Sequence, residues 1–238
     1  MRPRARGRAR GRGRRPRGGV VGTLALPRVE VSLPERGRAG SRRPAEVRSL
    51  TEGGGEERVE VPVEVGRRLV SSLGGDSVPC SPERLRQLLD DALETCARGR
   101  VETLVGRRDY CARELSERLL SLGYPARVVD ERVERAVGAG VVDDARYARS
   151  FVRSKVAAGW GRARIERELE RRGVSREVAS LAADEEMAET DECERALSLA
   201  SRRPLTGRND VQRIARFLCG RGFPPAVAFD AAREVVGS

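Results

Sequence analysis

A chain of 238 residues can hold one large domain or two to three small modules. Aromatic residues make up only 3% of it against 39% hydrophobic residues overall, so a core must come from Leu, Val, Ile and Ala; that suits small packed helices and disfavours an aromatic-rich β sandwich. The net charge of +11 points toward nucleic acid, but 15 arginines against three glutamates lie within residues 1–50, so the basic balance belongs to the N-terminal segment and the rest of the chain is close to neutral.

Histidine is absent, and the five cysteines (80, 96, 111, 193 and 219) form no C-x-x-C pair. Zinc sites that mix Cys and His are therefore excluded, and the wide spacing disfavours an all-Cys site. No metal or cofactor is expected, and reduced thiols fit a cytoplasmic protein. No apolar run approaches the ~18–20 residues of a membrane span, and residues 1–19 carry nine arginines without the apolar stretch of a secretory signal.

In chain order, residues 1–19 alternate Arg, Gly and Pro, a composition that buries no core and predicts a disordered tail. Such a tail is either an arm that touches nucleic-acid backbone or a by-product of GC-rich coding sequence. Over residues 20–80 the strand signals are weak. Val29, Val31 and Leu33 alternate with polar residues, as do Val59, Val61, Val63 and Val65, with Pro62 marking an edge or a break. Residues 34–57 read as a loop. The segment is either a small β module or mostly unstructured. From residue 81 the pattern changes: Ser81-Pro82-Glu83 is a helix start, and Leu85, Leu88, Leu89, Ala92, Leu93 and Cys96 follow at helical spacing.

An internal repeat then dominates. ELSERLLSLGYP (114–125), RIERELERRGVS (164–175) and RIARFLCGRGFP (213–224) align on Gly123, Gly173 and Gly222. Eight residues before each Gly stand Leu115, Ile165 and Ile214; four before stand Leu119, Leu169 and Leu218; one after stand Tyr124, Val174 and Phe223; five after stand Val128, Val178 and Val227. Positions −8 and −4 share one helical face, and the Gly sits where a left-handed C-cap is needed. A further amphipathic helix precedes the middle unit, at about 144–157. The chain is thus predicted to be mainly α: three tandem three-helix repeats at 81–140, 141–188 and 189–238, behind a basic tail and a possible β element at 20–80.

Residues 143–174 resemble the most characteristic stretch of the RecX family: Asp143-Asp144, Tyr147-Ala148, Phe151-Val152-Arg153, Gly159-Trp160-Gly161 and Arg172-Gly173-Val174. Residues 107–125 resemble that family's first module, with Cys111 where a small hydroxyl residue is more usual, and 215–228 its last. The resemblance implies a curved, elongated, all-helical, non-enzymatic protein that binds the filament of a RecA-type recombinase along its groove. It further implies modulation, mostly inhibition, of recombinase, ATPase and SOS co-protease activity.

Read on their own, Asp143 and Asp144 cap a helix N-terminus. Arg146, Arg149 and Arg153 form one helical stripe, and Lys155, Arg162, Arg164, Arg167, Arg171 and Arg172 follow, nine basic residues against three acidic ones over 145–172. That run is either a surface for an acidic protein face or DNA, or a solvated face with internal ion pairs. Trp160, the only Trp, either packs between modules or stands exposed as an anchor. No P-loop, nucleophile elbow, dinucleotide fingerprint or zincin motif occurs, and without His the commonest general base is missing. The expectation is a monomeric binder of a recombinase filament, with sequence-independent DNA binding by three-helix units as the alternative.

Overall fold

The structure, a computed structural model, describes residues 26–34, 43–50, 55–188 and 191–237; the expected disordered tail at 1–19 lies outside them. The described chain is mainly helical with a small antiparallel sheet. Strands β1 (Arg28–Ser32), β2 (Ala45–Leu50) and β3 (Glu56–Val61) precede helix α1 (Val63–Leu73) and a short β4 (Ser77–Pro79). The sheet order is β3-β2-β1-β4, with Val31 opposite Val47 and Val47 opposite Val59. Alternation puts Val29, Val31, Ala45, Val47 and Val61 on one buried face, and they share a core with Val65 and Leu69 of α1. Glu30, Glu60 and Arg58 lie on the other, where Arg48 and Arg58 both pair with Glu46.

Two local expectations differ from this. Residues 45–50, read as loop, form β2. Val63 and Val65, read as continuing a strand, belong to α1, because Pro62 ends the ladder and becomes the helix N-cap. Burying the valine face against α1 is what makes this segment a packed unit.

The remaining helices are α2 (Pro82–Val105), α3 (Ala112–Leu120), α4 (Ala126–Gly138), α5 (Asp144–Ala157), α6 (Arg162–Arg171), α7 (Arg176–Met187), α8 (Glu192–Ala200), α9 (Asp210–Arg221) and α10 (Pro225–Gly237). The Ser81 side chain accepts from the Arg84 N–H at 3.3 Å and starts α2; Ser175 does the same for α7 through Val178. Helices α5, α6 and α7 enclose a second core, and α8, α9 and α10 a third. The first core is continuous from the sheet through α2 and α4.

The repeat positions are filled as their periodicity requires. Leu115, Ile165 and Ile214, and Leu119, Leu169 and Leu218, are fully buried, as are Tyr124, Val174 and Phe223. Gly123, Gly173 and Gly222 have φ of 89°, 93° and 95°, the left-handed conformation that ends each middle helix.

Candidate functional site

The middle helical group and its two junctions hold the residues singled out above. Asp143 caps α5, its Oδ1 accepting from the Arg146 N–H at 2.9 Å; that bond, with Arg146 close by, holds the Asp143 carboxyl below its usual range. Asp144 does something else: its Oδ1 accepts from the Ala112 N–H at 2.8 Å, so it caps the first turn of α3 in the preceding group. The same device recurs 48 residues later, where Glu192 at the start of α8 accepts from the Arg162 N–H of α6 at 3.3 Å. Each middle helix of the first two groups thus receives its N-terminal acceptor from the group that follows it. The signal was present in the sequence as an acidic residue repeated at nearly the repeat period.

The third middle helix begins differently. Asp210, buried at its start, accepts from the Thr206 N–H at 2.9 Å and the Gly207 N–H at 2.7 Å, and pairs with Arg213. The helix thus holds its preceding loop, and no side chain caps its own first N–H groups, behind Asn209 in the left-handed conformation.

At the junction of the first two groups, Arg172 Nη1 donates to Glu114 Oε1 at 2.7 Å and to the Tyr147 hydroxyl at 2.9 Å, and Nε donates to Glu168 at 2.8 Å. Tyr147 Oη donates to Glu114. Cys111 is buried in the second core, its thiol 3.2 Å from the Arg172 carbonyl, and burial pushes its pKa up. At the junction of the second and third groups Gly161 lies against Gly222: its N–H donates to the Arg221 carbonyl at 2.9 Å, and a Cβ there would fall 2.5 Å from the Gly222 backbone. Trp160 is half-buried, with Arg164 3.9 Å above its ring and Phe151 edge-on.

The basic run is not one continuous free surface. Arg162 pairs with Glu166 and Asp184, and Arg171 and Arg172 with Glu168. Arg164 stacks on Trp160 and donates to the Gly220 carbonyl, and Arg167 donates to the Ala163 carbonyl. Lys155 sits over Phe151 and Trp160. Of the α5 stripe, Arg146 donates to the Gly140 and Val141 carbonyls of the α4–α5 turn. Arg149 and Arg153 face Glu185 and Glu186 of α7 at 3.6 Å, beyond hydrogen-bond length, with side chains 39% and 67% exposed. The acidic residues of α7 were the part of this arrangement that sequence spacing did not reveal.

The Glu168 cluster carries a pH signature. Hydrogen bonds from Arg171, joined by those from Arg172, outweigh partial burial and hold the Glu168 carboxyl down to about 2 against an ordinary 4.5. A depressed carboxylate contributes stability that is full above its unfolded pKa and lost as pH falls through the folded one. Thermal melts from pH 5 to 2 should therefore fall more steeply for the parent than for Glu168→Gln; equal slopes would remove this linkage.

Among the described residues no group of three or more Cys, Asp or Glu is placed to hold a metal, and no helix is long and apolar enough to cross a membrane. A family model described as RecX, second three-helix domain, matches residues 143–182. Regulatory protein RecX of Acidithiobacillus ferrooxidans is 34% identical over 139 residues, covering 57% of this chain and 85% of that protein. This chain belongs to the RecX family. The RecX protein of Chromohalobacter salexigens is 37% identical over 124 residues, covering 50% of this chain and 80% of its own. The fold agrees with the crystal structure of RecX from Lactobacillus salivarius at a TM-score of 0.54 and 18% identity, over 61% of this chain and 98% of that one. A second crystal structure of regulatory protein RecX gives 0.52 at 16% identity, over 90% and 100%. The relatives are named as regulators, and the RecX stretch centres on the group that carries Asp143, Asp144, Tyr147, Phe151, Gly161 and Gly173.

Proposed function

We propose that this chain binds the DNA-bound filament of a RecA-type recombinase and restrains its ATPase, strand-exchange and co-protease activities without catalysing a reaction. Membership of a family of regulatory proteins supports the reading, as does the character of the α5 face. The observation that carries the residue assignment is that Arg149 and Arg153 are exposed and only loosely faced by Glu185 and Glu186. The Arg149–Glu185 pair is exposed on both sides and contributes ~0–1 kcal/mol, so that guanidinium can exchange to a carboxylate of a partner at little cost; Arg153 is the more exposed of the two cations but faces a Glu186 side chain that is only 16% exposed. Lys155, Arg167 and Arg171 are proposed to add to the contact, whereas Arg164 and Arg172 link neighbouring helical groups and Arg162 ties α6 to α7 within one. Arg146 has a local role at the α4–α5 turn.

The test is ATP hydrolysis by the cognate recombinase on single-stranded DNA with and without the full-length chain. A substoichiometric drop in rate is expected, and Arg149→Glu with Arg153→Glu should raise the concentration needed at least tenfold while helicity is retained. Full activity of the recombinase at stoichiometric chain would sink the reading. Undiminished inhibition by the double variant would move the contact off α5.

A further inference from the structure

The ion pairs that join the first helix of a group to its third differ between the first two groups. In the first group two are hydrogen bonded: Arg127 of α4 donates to Asp90 of α2 at 3.0 Å, and Arg132 donates to Glu94. In the second group the polarity is reversed, with arginines on α5 and acids on α7. Three consecutive acids of α7, Asp184, Glu185 and Glu186, each face a different arginine. Of these pairs only the one with α6 is closed, Arg162 Nη1 donating to Asp184 Oδ1 at 2.6 Å. Arg149 and Arg153 stop 3.6 Å short of Glu185 and Glu186, too far for a hydrogen bond.

Packing keeps the two pairs open. Helix α7 is held by its bonds to Arg162, through Asp184 and Ser180, and by the buried Ala179, Ala182 and Ala183. Its acids are thus fixed opposite α5 without filling the donor forks of Arg149 and Arg153. An incoming carboxylate finds those forks unoccupied but meets two like charges beside them, and like charges brought together oppose binding.

We propose that Glu185 and Glu186 act as a built-in brake on the α5 face: they compete with the carboxylates of an acidic protein surface for Arg149 and Arg153, and so set how tightly that surface is held. The inference rests on the assignment of the partner contact to these two arginines. Its signature is a gain: removing the two acids strengthens binding, whereas acids that served only to steady the fold would give no gain when removed.

The test has two arms. In the first, a fluorescein-labelled oligoglutamate is titrated at low salt into the full-length chain with the nine arginines of residues 1–19 changed to Gln, so that they do not capture the probe. Glu185→Gln with Glu186→Gln should bind it about fivefold more tightly, and Glu185→Gln alone, at an exposed position, about twofold. Both gains should vanish when Arg149→Gln and Arg153→Gln are added. The control, Glu134→Gln with Glu170→Gln, makes the same charge change at exposed acids that form no ion pair among the described residues, and its gain should stay well below that of the α7 variant. In the second arm the α7 variant of the natural chain should inhibit ATP hydrolysis by the recombinase at about fivefold lower concentration. A gain in the peptide arm with no inhibition by any chain would support the brake and remove the recombinase as the partner. Equal gains in the α7 variant and the control, no gain in Glu185→Gln, or gains that survive the loss of both arginines would overturn the proposal.

Discussion

A Gly161→Val chain is expected to melt roughly 6–12 °C below the parent, a loss of about 3 kcal/mol in a chain of this length. Gly161 has φ of −82°, which any residue adopts, so the cost is not backbone strain. It comes from contact: the N-terminus of α6 rests on the left-handed turn at Gly222, and a side chain at Gly161 would meet the Gly222 carbonyl and the Phe223 nitrogen. Neither is the yielding end of a flexible side chain. The groups must separate, and the Gly161 N–H would lose its bond to the Arg221 carbonyl. The reverse sign is expected at Gly99 in α2, where a Cβ meets nothing within 4 Å; Gly99→Ala should add about 0.5–1 kcal/mol through helix propensity. Calorimetry of the two variants checks both, and a stable Gly161→Val chain would refute the tight junction.

The second large effect is expected at the other junction. Arg172→Met should cost about 2 kcal/mol, because it removes three charged hydrogen bonds at once and leaves Glu114 and Glu168, with side chains only 16% and 20% exposed, with one arginine each, Arg108 and Arg171. Adding Glu114→Met to Arg172→Met should cost less than Glu114→Met alone, since the carboxylate it removes has already lost one of its two arginines. A double-mutant cycle measured by urea unfolding reads the coupling directly. Strict additivity of the two substitutions would show that the hydrogen-bonded link between the first and second groups carries no energy.

How much of this was legible in the sequence follows from periodicity. The three middle helices were readable because positions −8, −4 and +1 around Gly123, Gly173 and Gly222 repeat large apolar residues, and burial demanded it. The sheet was half legible. Val29 and Val31 alternate clearly, but the inward residues of β2 are Ala45, Val47 and Ser49, too small and too polar to stand out. Val63 and Val65 kept the period of two for a few residues after the helix had begun. The candidate surface was legible as charge but not as free charge. Which arginines are spent on carboxylates depends on α7, whose Asp184, Glu185 and Glu186 are brought to α5 and α6 only by folding. The cap supplied by Asp144 to α3 was hidden for the same reason: local spacing made it look like a partner of its own helix.

The caps that cross between groups have a consequence for how such a chain can lengthen. The first two middle helices each present an N-terminal N–H that the next group plugs with an acidic residue. The N–H groups at the start of α9 carry no side-chain cap, and Asp210 there is turned back onto the Thr206 and Gly207 N–H groups. A further copy of the unit spliced between existing groups would have to bring both an acidic residue at the start of its first helix and an uncapped middle helix, so each junction is specified by one residue on either side of it.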